Sequence, residues 1–301
     1  MEKLRIRRYV AGMLLLAAVF AFNISGYPLL DPDEGRNAEV MREMAASNNY
    51  AIPTLLGLPY IDKPVLYFSV GAAGMELLGP TVLAARLPSL LFTFGTLVLI
   101  GWFARREWGR DAEWIAVLAT AATPLTLAFS RIVIPDAALT FWVVLAIVAF
   151  YYAIGGSVRS PAAGRAAAWW RHVAWAAIAL GVLTKGPIAI GLPLMIAVPY
   201  AISQKRSRAL VDASTVLLFF VLVLPWVFVM SASVPDYMRY VLITETVGRF
   251  TTTELARSGP WWYFLAIVPV AAFPWSAVPD LLFFSRSKPC LPVSDIASGK
   301  I

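Results

Sequence analysis

Asp33 and Arg36 stand three residues apart in the stretch DPDEGRNAEVMREM at 31–44. That spacing puts both side chains on one face of a helix. A carboxylate there could draw a proton from an attacking hydroxyl, and the guanidinium beside it could hold an anion. Other stretches offer similar groups. LPYIDKP at 58–64 carries Tyr60, Asp62 and Lys63; RIVIPDAALTF at 131–141 carries Asp136; LGVLTKGPIAIGLP at 180–193 carries Lys185; TETVGRF at 244–250 carries Glu245 and Arg249. Each also has a plainer reading. Asp31, Pro32 and Glu34 fit a helix N-cap, a first-turn proline and a capping box, with Asp33 at the positive end of the helix dipole. Asp136 could cap a helix after Pro135, Lys185 could snorkel to headgroups, and Glu245 and Arg249 could be solvated loop residues.

The elements that must position these residues are apolar. The 301-residue chain is 59% hydrophobic and 14% charged, with a mean hydropathy of +0.71. Soluble domains carry about 25% charged residues, so this chain could not cover a water-facing surface. The class expected is an all-α, polytopic membrane protein. Apolar spans are expected at about 9–26, 81–103, 112–130, 136–154, 172–185, 186–203, 209–231 and 261–285. The first resembles a signal peptide but reads as an uncleaved span, since no small-x-small cleavage site follows. Basic residues cluster before the first span, at Arg105–Arg110, at Arg159–Arg171, at Lys205–Arg208 and at Arg286–Lys288. All five clusters fall on the cytoplasmic side if 64–79 does not cross and lies instead in the outer interface. Segments 27–80 and 232–260, with the turn 131–136, then face outward and hold the candidate residues.

Several classes are excluded. The net charge of +7 does not indicate nucleic acid, because the basic residues lie in short clusters between apolar runs. One cysteine, Cys290, permits no disulfide framework and no cysteine metal cluster. The single histidine, His172, reads as a loop residue. The Asn23-Ile24-Ser25 sequon reads as a chance match, TKGP lacks the phosphate-loop spacing, and no internal repeat is evident. What remains is a set of outward carboxylates with Arg36, Lys63, Lys185 and Arg249. That mixture suits a phosphate-bearing ligand approached from the membrane plane, such as a pyranosyl ring on a lipid phosphate. A transporter of a lipid-linked or anionic substrate is the alternative, because an intramembrane lysine and broken helices suit transport.

The motifs DEGRNAEVMREM, LLGLPYIDKP, AARLPSLL, RIVIPDAALTF, LGVLTKGP, ETVGRF and GPWWYFLAIVPVAAFPW occur in this order. The ordered set, over nearly residues 1–285, resembles bacterial GT-C membrane glycosyltransferases: glycosyltransferase family 39 and the aminoarabinose lipid A transferases, relatives of protein O-mannosyltransferases. The resemblance implies a GT-C-like helical bundle of about eight spans over 1–285, with juxtamembrane helices at 33–47 and 64–79. It implies inverting transfer of a sugar from a polyprenyl-phosphate donor to a lipid, glycan or protein acceptor. The setting would be the periplasmic side of the bacterial inner membrane, among membrane lipids, with a cytoplasmic N-terminus. Asp33 would be the catalytic carboxylate, accompanied by Glu34 and Asp136. Arg36, Tyr60, Asp62, Lys63, Lys185, Glu245 and Arg249 would bind substrate. No cofactor is certain; a divalent metal is a candidate, with no ligand set assigned. Asp62 stands where the aminoarabinose branch has Glu, and Thr246 where it often has His. The tail 286–301 does not resemble the continuation of such chains, so a truncated and inactive product is a further expectation.

Overall fold

The computed structural model describes residues 2–157, 164–241, 260 and 262–277. In chain order it runs through α1 (Glu2–Ala21), α2 (Asp33–Ser47), a hairpin of β1 (Thr54–Leu55) and β2 (Leu58–Pro59), then α3 (Leu66–Leu78). It continues with α4 (Val82–Trp108), α5 (Arg110–Ala121), α6 (Pro124–Ser130), α7 (Asp136–Ile154), α8 (Arg165–Lys185), α9 (Ile188–Ser203) and α10 (Ala213–Ser233). The chain is an all-α, multi-pass membrane protein. Among the described residues α4, α7, α8 and the Ser207–Ser233 segment are long and apolar enough to cross a bilayer, and α5 with α6 makes a fifth.

The elements differ from expectation in four places. The span expected at 112–130 is broken, and α5 and α6 meet at 70°. Pro124 opens α6 and cannot donate into a continuous helix, while Thr123 before it is extended. The span expected at 172–185 begins earlier, at Arg165, because the alanine-rich run extends the helix backwards. His172 therefore lies within α8, not in a loop; its Nδ1 meets the Ala168 carbonyl and its Nε2 the Ser214 hydroxyl. α2 has no side-chain cap; Glu34 is drawn inward instead of closing a capping box. Of 261–285, the helix Tyr263–Ala271 and the turn Trp275–Ala277 are described; the tail 286–301 lies outside the described residues.

Alternating helix directions separate the two ends of the bundle. One end collects Arg105, Arg106, Arg110, Arg165, Arg171, Lys205, Arg206 and Arg208. There Arg206 donates to the Ile154 carbonyl at 2.7 Å, and Arg171 pairs with Asp212. The other end collects the candidate site residues. Its core joins α2, the segment before α3, α3 itself and the start of α7, with Val40, Met41, Met44, Tyr67, Phe68 and Val133 all fully buried. A second core holds α7, α8 and α9 together through Ala146, Ala149, Phe150, Ala174 and Ile178.

Close approach of α8 and α9 rests on Gly181. A Cβ there would stand 2.7 Å from the Ala189 Cβ and 3.3 Å from that of Trp142. Neither neighbour can swing aside, so the helices must part. Gly181→Ala is expected to cost about 1–3 kcal/mol, as overpacking does, and to lower the thermal midpoint in detergent.

Candidate active site

α2 is amphipathic in a way that sets its chemistry. Glu34, Asn37, Met41 and Met44 lie on the buried face, while Asp33, Arg36, Glu39 and Arg42 face away. Arg36 donates to Asp33 Oδ1 at 2.5 Å across one turn. The Arg36 Nε is buried and has no partner among the described residues. One guanidinium edge is thus already spent on Asp33, and another donor waits for an acceptor.

Glu34 belongs to a different structure. Arg86, in the second turn of α4, is wholly buried and uses all five of its N–H donors. Its Nε and Nη2 meet Glu34 Oε1 and Oε2 at 3.0 and 2.9 Å. Its remaining donors meet the carbonyls of Ile24, Tyr27 and Pro28 at 2.6, 3.2 and 3.0 Å. Tyr27 stacks its ring 3.8 Å from the guanidinium. Glu34 also accepts the amides of Leu30 and Val133, each at 2.9 Å. Burial pushes the Glu34 carboxyl up, but the Arg86 hydrogen bonds and the two amides outweigh it and hold the group below the usual glutamate range. Glu34 and Arg86 therefore fix α2 to α4 and to the turn before α7. This places Glu34 behind the site rather than in it. The ion pair was not foreseen from sequence; the signal was one arginine inside an otherwise uncharged apolar run.

The segment after the hairpin brings a second set of groups to Asp33. Tyr60 packs edge-on against Phe68 and donates to Asp62 Oδ2 at 3.3 Å. Lys63 Nζ donates to the same oxygen at 3.3 Å and to the Asp62 carbonyl at 3.0 Å. Burial raises the Tyr60 hydroxyl well above the ordinary tyrosine value. Asp62 and Asp33 add to the rise and Arg36 opposes it, so all three charges act on one phenol. Tyr240 reaches Asp62 Oδ1 at 3.4 Å from the segment after α10. It was not among the residues expected from sequence, and nothing in its spacing marks it.

Asp136 and Lys185 form the other group. Asp136 opens α7 and Lys185 closes α8, so each charge complements its own helix end. The helices run antiparallel, and Lys185 Nζ meets Asp136 Oδ1 at 2.6 Å. This pair and the Asp33–Lys63 cluster flank the start of α3, where the buried Tyr67 hydroxyl bonds Ser89 and feels both Glu34 and Asp136. Among the described residues no ion pair joins the two groups. Glu245 and Arg249 lie outside the described residues.

No three His, Cys, Asp or Glu side chains gather to hold a metal among the described residues. Both Asp62 oxygens are already taken by hydroxyl and ammonium donors. Among the described residues, therefore, no ligand set for a divalent metal is formed.

Residues 12–241 match the family model described as dolichyl-phosphate-mannose-protein mannosyltransferase. An undecaprenyl phosphate-alpha-4-amino-4-deoxy-L-arabinose arabinosyl transferase of Edwardsiella ictaluri is 32% identical over 273 residues, covering 88% of this chain and 49% of the relative. Its Pseudomonas aeruginosa PAO1 counterpart is 32% identical over 278 residues, covering 90% and 50%. The crystal structure of ArnT from Cupriavidus metallidurans bound to undecaprenyl phosphate superposes with a TM-score of 0.82 at 29% identity, over 92% of this chain and 50% of that one. The chain thus spans about half the length of the relatives it matches.

Proposed function

The chain belongs to the dolichyl-phosphate-mannose-protein mannosyltransferase family, and from that premise we propose that it transfers a sugar from a polyprenyl-phosphate donor to a lipid-borne acceptor. The observation that carries this reading is the meeting of Asp33, Arg36, Tyr60, Asp62 and Lys63 at one end of a membrane bundle, with the Asp136–Lys185 pair across α3. By the positive-inside rule the basic end lies in the cytoplasm, which puts the site on the periplasmic side of a bacterial inner membrane.

The reaction needs little covalent help from the protein. The acceptor oxygen bonds to the anomeric carbon as the bond from that carbon to the phosphate oxygen breaks. The electron pair leaves with polyprenyl phosphate, and the configuration inverts. Asp33 takes the acceptor hydroxyl proton. The departing phosphate gains charge, which Arg36 and Lys63 meet with fixed donors. The passing state is oxocarbenium-like, as in glycoside hydrolysis. Where the acceptor is itself a phosphate, no proton moves and Asp33 orients it. Lys185 has Asp136 as a counter-charge, so its ammonium is held in place for a donor headgroup rather than free to snorkel.

The test is transfer in proteoliposomes from labelled undecaprenyl-phosphate sugars. Label should enter the lipid fraction together with an equal release of undecaprenyl phosphate. Failure to bind or turn over any such donor would sink the reading. Lys185→Met should raise KM for the donor about tenfold or more, the worth of one charge-assisted hydrogen bond, while leaving the protein folded. A KM equal to wild type would remove Lys185 from donor binding.

A further inference from the structure

The hairpin between α2 and α3 has a tip that the site does not use. Thr54 pairs with Pro59 and Leu55 with Leu58, leaving Leu56 and Gly57 as a two-residue turn. Both have positive φ, 54° and 77°. Turns of this kind favour Asn-Gly or Asp-Gly, because a leucine Cβ fits the left-handed region poorly. Leu56 therefore works against local folding. It gains nothing inside the protein either, being 81% exposed, with Leu58 70% exposed. Yet the tip is held firmly. Glu43 accepts the Gly57 amide at 3.2 Å. The Thr54 hydroxyl and the Leu56 amide also reach that carboxylate, and together they hold it below its ordinary range. An exposed leucine kept in an unfavourable backbone region, and clamped there, is placed for an apolar partner.

The depth of the hairpin says which partner. Trp226 Nε1 donates to the Ala51 carbonyl at 2.9 Å. Trp226 lies seven residues before Ser233, the end of α10, or about 10 Å along the helix axis at 1.5 Å per residue. The approach to the hairpin at Ala51 therefore packs about two turns below the site end of α10, within a segment long and apolar enough to cross a bilayer. Tryptophan at this level is the usual boundary residue.

We propose that Leu56 and Leu58 insert into the hydrocarbon of the leaflet at the site end of the bundle. The partner is the lipid surface itself. β2 runs directly into Tyr60, Asp62 and Lys63, so the anchored tip sets the height of Lys63 against the headgroups. The activity consequence rests on the sugar-transfer reading; the insertion does not.

Full-length protein in lipid nanodiscs tests this. In a Cys290→Ser background, Leu56→Cys and, as a water-facing control on α2, Ala46→Cys are labelled with an environment-sensitive dye. The Leu56 probe should be quenched by acyl-chain nitroxides and shielded from aqueous iodide, with the reverse at Ala46. Iodide quenching at Leu56 equal to that at Ala46 overturns the proposal, whether or not the chain turns over. Leu56→Asn suits the turn better than leucine, so lost folding will not mask its effect. That variant should raise KM for a long-chain polyprenyl donor roughly tenfold, the worth of one buried leucine. KM for a water-soluble, short-chain isoprenoid donor should not change. An equal change with both donors would overturn the anchoring role.

Discussion

Asp33→Asn is expected to lower kcat by about 10²–10⁴-fold, the range that positioned general bases supply, with KM for the donor little changed. Asparagine keeps the size of the side chain and can still meet Arg36, but it cannot take a proton. Asp33 lies on the solvent-facing side of α2, with a side chain 56% exposed, and makes none of the Glu34–Arg86 contacts. Loss of folding therefore will not account for the loss of rate, and an unchanged thermal midpoint checks this. Labelled-donor turnover equal to wild type would remove Asp33 from catalysis. Where the acceptor attacks through a phosphate, no proton is taken from it and the loss of rate in Asp33→Asn should be smaller.

The second large effect concerns stability. Arg86→Met should destabilise the protein by about 3–5 kcal/mol, as breaking a fully buried ion pair does. It strands the Glu34 carboxylate and the carbonyls of Ile24, Tyr27 and Pro28 together. Glu34→Gln should cost less, since an amide still accepts from Arg86 and one of the two backbone amides. The double variant should be hardly worse than Arg86→Met alone, because both changes act on one network. The pH dependence follows from the lowered Glu34 carboxyl. A depressed folded value means the stabilisation is complete above the unfolded glutamate value, near 4.3, and is lost as pH falls through the folded one. In Arg86→Met the cation is gone and burial dominates, so acidification should stabilise that variant relative to neutral pH. Thermal midpoints across pH 3–7 in detergent decide both points. A midpoint of Arg86→Met within a degree of wild type would show that the network carries little.

Much of this was legible in the sequence, for identifiable reasons. Asp33 and Arg36 share a face because helical spacing is local, and a local rule needs no knowledge of the fold. Lys185 stood out because one ammonium in a long uncharged run must find a partner. That its partner is Asp136 depends on α7 and α8 running antiparallel, which no motif states. Arg86 was passed over because most of its partners are backbone carbonyls at 24–28, and carbonyls leave no mark in a sequence. The capping reading of Glu34 failed because its carboxylate turns inward to Arg86 and Val133 and takes the Leu30 amide, one residue before the expected cap. His172 was placed in a loop because the basic residues around it look like a turn, whereas the alanines of 166–180 continue the helix through them. The break before Pro124 was visible in the residues but was outweighed by the even hydropathy of 112–130.

The Glu34–Arg86 network also bears on how the protein is made. Glu34 leaves the ribosome before any of its long-range partners. Arg86 follows 52 residues later and Val133 99 residues later. Until α4 has been inserted and the turn before α7 has emerged, the first extramembrane loop carries a lone carboxylate and loose ends. Asp33 and Arg36 therefore reach their folded positions only after residue 133 has been made, and a translocation pause before it would leave the candidate site unassembled.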